Sequence, residues 1–197
     1  MTDAPRRGRP RSEQSRVATL DATAELLLAH GLGGVSVDAI AERAGVSKAT
    51  IYRWWPTKEL LALDALYRSW ASVEPEQPDT GSLRGDLVEL LVPWAARLRG
   101  GSYGELIAAF VIEAHRDAAF AEAYHARFVH PRRELGRAAF ARAEARGEVP
   151  DRIKVEVALD LLYGPVYHRL LHRHAPLDDD FVVDVIDGVL GGVVALR

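Results

Sequence analysis

The sequence predicts an all-α protein, and three observations carry that prediction. Apolar residues recur at three- and four-residue intervals along most of the chain, serine and threonine caps precede several of these runs, and no convincing strand-type alternation appears. With 197 residues, 48% of them hydrophobic, the chain can bury a real core as one large domain or two small ones.

Ser12 with Glu13 behind it opens the first helix. Val17, Leu20, Ala24 and Leu27 continue it until His30 and Gly31 supply a stop, which places it at 12–29. Val37, Ile40, Ala41 and Ala44 form one face of a second, two-turn helix capped by Ser36 and closed by Gly45. Ser47 starts a third that carries Ile51 and Trp55 and ends at Pro56, because the residue before a proline avoids the α region. Thr57 caps a fourth through Leu60, Leu61, Ala65 and Tyr67. The acidic, proline-bearing stretch 73–81 reads as a linker, and helices follow near 82–99, 104–115, 117–146, 151–173 and 179–195. Pro93, Pro131 and Pro165 fall inside these segments, and each is expected to kink or split its helix.

Composition excludes several classes. The absence of cysteine rules out disulfides and thiolate zinc sites and fits a reducing cytoplasm. The N-terminus lacks an apolar signal core, and no apolar run approaches the roughly 20 residues of a membrane span, so a cytoplasmic protein with no membrane partner is expected. There is no G-x-S-x-G elbow, P-loop or nucleotide fingerprint, so neither an enzyme with catalytic residues nor a bound cofactor is expected. His168 and His172 share a helix face at metal-ligand spacing with His174 nearby, but a solvated basic helix end is the preferred reading, and no metal is expected.

The net charge of −3 hides an asymmetry. Residues 1–70 hold 10 Lys and Arg against 8 Asp and Glu, whereas 71–197 hold 15 against 20. Arg6, Arg7, Arg9 and Arg11 face only Asp3 within the first eleven residues, a compact positive arm that a polyanion should meet. Its Arg7-Gly8-Arg9-Pro10 is close to the core of AT-hook peptides, a narrow segment suited to the minor groove of A·T-rich DNA.

Between 36 and 55 one capping device occurs twice, Val35-Ser36 with Ile40 and Val46-Ser47 with Ile51. In each, the serine accepts from an orphan N–H of the first turn while the preceding apolar residue staples against N4. The intervening Gly45-Val46-Ser47 makes the segment a helix-turn-helix. If Ile51 and Trp55 face the core, Thr50, Arg53 and Trp54 share another face with Lys48 and Tyr52 beside them, a set suited to base edges and phosphates of a major groove. Lys58, in the first turn of the next helix, can clamp a phosphate.

Residues 16–63, above all the run from Ile40 through Gly45-Val46-Ser47 to Thr50-Ile51-Tyr52, with Trp55-Pro56 and Lys58-Glu59-Leu60-Leu61, resemble the DNA-binding domain of the tetracycline-repressor (TetR) family. The resemblance implies DNA contacts for Ser36, Ser47, Lys48, Thr50, Tyr52, Trp54 and Lys58, although Trp54 stands where the family more often has Tyr, His or Phe. It also implies a homodimer whose repression of a double-stranded operator is relieved by an effector. The expected organisation is therefore a basic disordered arm at 1–11, a helix-turn-helix domain at 12–58, a connecting helix at 59–72 and an effector-binding and dimerisation domain at 73–197.

In that last region Trp94, Phe110, Phe128 and Tyr167 are the expected walls of a pocket for an apolar small molecule. The apolar helix 179–195, paired with 151–173, is the expected dimer surface. An architectural DNA-binding protein that senses no effector is the competing reading.

Overall fold

The computed structural model describes the backbone of residues 9–71, 77–149 and 154–195, and side chains within 13–69, 77–149 and 154–192. Among these residues the chain forms helices and no strands: α1 Arg9–Gly34, α2 Val37–Ala44, α3 Lys48–Trp54, α4 Lys58–Ala71, α5 Leu83–Arg99, α6 Gly101–Ala114, α7 Ala118–Tyr124, a π-helical turn His125–Val129, α8 His130–Ala145, α9 Val155–His172 and α10 Asp179–Ala195. They group into two compact units, one within 1–74 and 109–124, the other within 75–108 and 125–197. No described helix is long and apolar enough to cross a membrane.

In the first unit α1 packs on α2, α3 and α4, and α4 also meets α7. Leu20, Leu27, Val35, Ile40, Ile51, Trp55, Leu61 and Leu66 are all buried there. Thr19 and Thr23 join them without an unsatisfied hydroxyl, because each donates to the carbonyl one turn earlier, Ser15 and Thr19 respectively, at 2.7 Å. The stop expected at Gly31 is present as a left-handed break at φ 66° inside α1. The helix nevertheless starts at Arg9, three residues before the Ser12 start read from the sequence.

Three hydrogen bonds tie the end of α3 to α4, and α4 to the chain between the last turn of α1 and α2. The buried Trp55 donates its indole Nε1 to Asp64 Oδ2 at 2.8 Å. Lys58 Nζ donates to the carbonyls of Leu32 and Val35 at 2.9 and 3.1 Å. Trp55→Phe keeps most of the ring but deletes the donor and some buried volume. It is expected to lower stability by about 1–3 kcal/mol, read as a fall in the thermal midpoint.

In the second unit α5 lies against α8, α9 and α10, with α9 also touching α8 and α10. Leu87, Leu91, Ala139, Phe140, Leu159, Leu162, Val166, Val182 and Ile186 fill its core. The start of α6 approaches the end of α5 so closely that a Cβ on Gly104 would sit 2.1 Å from the carbonyl oxygen of Leu98, so only glycine fits.

The three prolines behave differently from one another. A proline at 131 removes an N–H and crowds the carbonyl four residues earlier, that of Arg127. The chain answers by widening into the π turn over His125–Val129 that separates α7 from α8, so the single helix expected at 117–146 is split. Pro93 and Pro165, by contrast, lie within α5 and α9, which run through them unsplit.

Candidate nucleic-acid interface

The α2–α3 helix pair is built by caps. Ser36 is extended, and its hydroxyl accepts from the N–H of Ala39 at 3.2 Å, starting α2. Gly45 closes that helix in the left-handed region at φ 65°, a conformation an L side chain resists, while the N–H groups of Gly45 and Val46 donate back to Glu42 and Ala41. Ser47 repeats the first device, accepting from Thr50 N at 3.2 Å with the two hydroxyl oxygens 3.0 Å apart. Val35 and Ile40 are both buried, as a hydrophobic staple requires. Four short-range constraints thus fix the angle between α2 and α3.

On α3, Ile51 and the following Trp55 are buried, which leaves the opposite face outward. Tyr52 is 50% exposed, Trp54 41% exposed, and Arg53 is exposed beside them. The two tryptophan rings sit 6.5 Å apart at 45°, one in the core and one out of it. Ser36 and Ser47 lie at the exposed starts of the two helices, and Thr50 is half-buried. Lys48 ion-pairs with Asp38 of α2 at 2.7 Å, and that carboxylate holds the lysine above its ordinary pKa, so it stays cationic.

Lys58 has a structural task that sequence reasoning missed. Two of its three ammonium donors satisfy the carbonyls of Leu32, at the end of α1, and of Val35, just before α2, which leaves one N–H free to donate. A lysine just past a Trp-Pro stop carries no signal for this, because the carbonyls lie 23 and 26 residues earlier. Arg6 and Arg7 lie outside the described residues, and Arg9 and Arg11 are described only as backbone at the start of α1.

The residues expected to wall an effector pocket divide between the units. In the second, Trp94 meets Tyr163 edge-on at 5.2 Å and Tyr167 at 5.7 Å, with the Arg132 guanidinium 4.7 Å from the Trp94 ring centroid. Tyr163 donates its hydroxyl to the carbonyl of Arg132 at 3.2 Å, and burial pushes the Tyr103 and Tyr163 phenols up to about 12. Phe128 is buried in the π turn. Phe110 belongs to the first unit, fully buried against Phe120 at 5.6 Å. The three C-terminal histidines do gather, His168 lying 4.6 Å from His172 and 4.8 Å from His174 between ring centroids. No group of three or more ligating side chains among the described residues is arranged to hold a metal.

A capped helix pair that buries one side of its second helix and presents serine, threonine, lysine, arginine and aromatic side chains on the other defines a helix-turn-helix DNA-binding regulator. Comparison with known proteins agrees. Residues 20–65 match the family model for bacterial regulatory proteins of the tetR family, and residues 77–189 match that of the tetracyclin repressor-like C-terminal domain. The chain belongs to the TetR family of transcriptional regulators. Members of this family are DNA-binding transcription factors and not enzymes.

Among its relatives, the uncharacterized HTH-type transcriptional regulator YdeS of Bacillus subtilis (strain 168) is 38% identical over 190 residues, covering 96% of this chain and 95% of its own. The DNA-binding transcriptional repressor TetR of Mycobacteroides abscessus is 32% identical over 183 residues, covering 91% and 94%. The crystal structure of the TetR family transcription regulator SCO0332 superposes with a TM-score of 0.76 at 34% identity, covering 91% of this chain and 98% of that one.

Proposed function

We propose that this regulator is a cytoplasmic homodimeric repressor that binds a palindromic operator through α3 and is released by a small apolar molecule held in its second unit. The observation that carries this reading is the outward face of α3, where Tyr52, Arg53 and Trp54 stand clear of a rigidly capped scaffold. Arg53 suits a guanine edge, the aromatic rings suit thymine methyls and phosphates, and Ser36, Ser47, Lys48, Thr50 and the remaining donor of Lys58 suit the backbone. The arm residues Arg6, Arg7, Arg9 and Arg11 supply minor-groove charge in this reading. Trp94, Phe128 and Tyr167 are the proposed effector contacts within the second unit, Phe110 belonging to the first. The name of the Mycobacteroides abscessus relative, a repressor, supports the sign of regulation.

A dimer is supported by where apolar surface is left exposed. On α10 Val182 and Ile186 are buried inside their own unit, while Val183, Val185, Val189 and Leu190 are half-buried. On α9, however, Val157 and Leu161 are 50% and 54% exposed one turn apart, and Leu171 continues the exposure further along. Leu161→Asp is expected to turn the dimer into monomers in sedimentation. A wild-type chain that sediments as a monomer at micromolar concentration removes the dimer.

Selection of bound sequences from random double-stranded DNA tests the whole reading. The expected result is an inverted repeat with half-site centres about one helical turn apart, since a two-fold dimer places two recognition helices in successive major grooves. Enrichment of A·T-rich sequence without a repeat overturns it in favour of an architectural binder that uses the arm.

A further inference from the structure

The second unit contains a pocket of about 420 Å³ in a corner that the proposed effector contacts do not reach. It lies where the end of α5, the start of α6, the end of α9 and the segment leading into α10 meet. Leu98 and Leu177, both buried, and Leu170 give it an apolar interior. Its mouth is charged and unbalanced, with Arg99, Arg169 and Arg173 against the two carboxylates of Glu105 and Asp179.

The three guanidiniums are held to different degrees. Arg99 and Arg173 make exposed pairs with Asp179 and Glu105, at 3.1 and 3.2 Å, which water screens and a competing carboxylate can exchange. Arg169 has no carboxylate partner among the described residues. It lies 3.3 Å from the ring centroid of Phe181 and donates to the carbonyl of Pro176, which fixes its planar fork and leaves donors to spare. Arg173 itself is the only described residue other than glycine with a positive φ, 51°. A left-handed arginine is costly, and it turns the chain so that Ala175, Pro176 and Leu177 close the pocket.

We propose that this pocket is a second small-molecule site, for an organic acid whose apolar body lies on the three leucines and whose carboxylate is taken by Arg169. An apolar interior of this volume is of ligand size, and a preset, uncompensated guanidinium selects a planar anion over a neutral or cationic head. Arg173 completes the clamp by exchanging Glu105 for the ligand's carboxylate.

Calorimetric titration of the full chain with 2-naphthoate and octanoate, with 2-naphthamide as the neutral counterpart, tests this. One acid is expected to bind while the amide binds at least tenfold more weakly. Arg169→Ala should cost tenfold or more, with partial recovery in Arg169→Lys. Leu170→Trp, which fills the interior, should abolish binding, circular dichroism confirming that each variant is folded. Glu105→Gln gives the discriminating sign: it removes the competing carboxylate and should tighten acid binding several-fold, whereas a merely structural ion pair would give no gain. Equal affinity for acid and amide, weaker acid binding in Glu105→Gln, or no heat from either acid up to about 1 mM, the weak end of specific binding, overturns the proposal.

Discussion

Asp86→Ala is expected to be the most destabilising single substitution outside the apolar core. Asp86 is fully buried near the start of α5, and its carboxylate accepts from the Thr80 N–H at 2.7 Å, the Thr80 hydroxyl at 2.9 Å and Arg142 Nη2 at 3.1 Å. Arg142 also donates to the carbonyl of Pro78, and Glu148 accepts from Leu83 N at 2.6 Å, so α5, α8 and the segment before α5 are latched at one point. Removing the carboxylate leaves a part-buried guanidinium whose Nε already lacks a hydrogen-bond partner. Breaking one side of such a pair costs about 3 kcal/mol. For a chain of this size that corresponds to a fall of roughly 6–12 °C in the thermal midpoint.

The same site gives a pH signature. Burial alone would raise the Asp86 pKa, but the Thr80 donors and the Arg142 charge outweigh it and hold the carboxyl below its ordinary value of 3.8. A depressed folded-state pKa contributes stability that is full above the unfolded value and is lost as pH falls through the folded one. Wild type should therefore lose this contribution below about pH 4, toward the depressed folded-state value. Asp86→Asn, which has no carboxylate to protonate, should lack that part of the acid loss. Parallel acid limbs in urea titrations of the two proteins would show that the latch is not carried by charge.

How much of this was legible depends on sequence distance. The helix-turn-helix could be read because its determinants are local: each serine acts on an N–H three residues away, and Gly45 on carbonyls three and four residues back. The break at Gly31 is likewise single-residue chemistry. The Asp86 latch joins positions 56 residues apart, and Leu83 reaches Glu148 across 65, distances at which one sequence carries no pairing signal. The aromatic residues show the same limit. Trp94 and Tyr167 meet, but Phe110 goes to the other unit, because periodicity says that a ring is buried without saying against what.

Arg53→Ala and Tyr52→Ala are expected to abolish operator recognition while leaving the protein folded. Both side chains point away from the core that Ile51 and Trp55 fill, so their truncation exposes no apolar surface and removes no cap. A base-edge contact is worth about 1–3 kcal/mol of discrimination. In a two-fold dimer every substitution is made twice, so each variant should lose roughly 2–6 kcal/mol for the operator, a factor from thirty to more than ten thousand. Affinity for unrelated DNA should change far less for Tyr52→Ala, which alters no charge, than for Arg53→Ala, which also removes one cation per subunit from the counterion balance. Electrophoretic shifts on the selected operator and on scrambled duplex, each at two salt concentrations, separate these effects. Operator binding that survives both substitutions would place the reading head elsewhere, on the N-terminal arm or the start of α2. A uniform loss on operator and scrambled DNA alike would make α3 a backbone anchor instead of a reader.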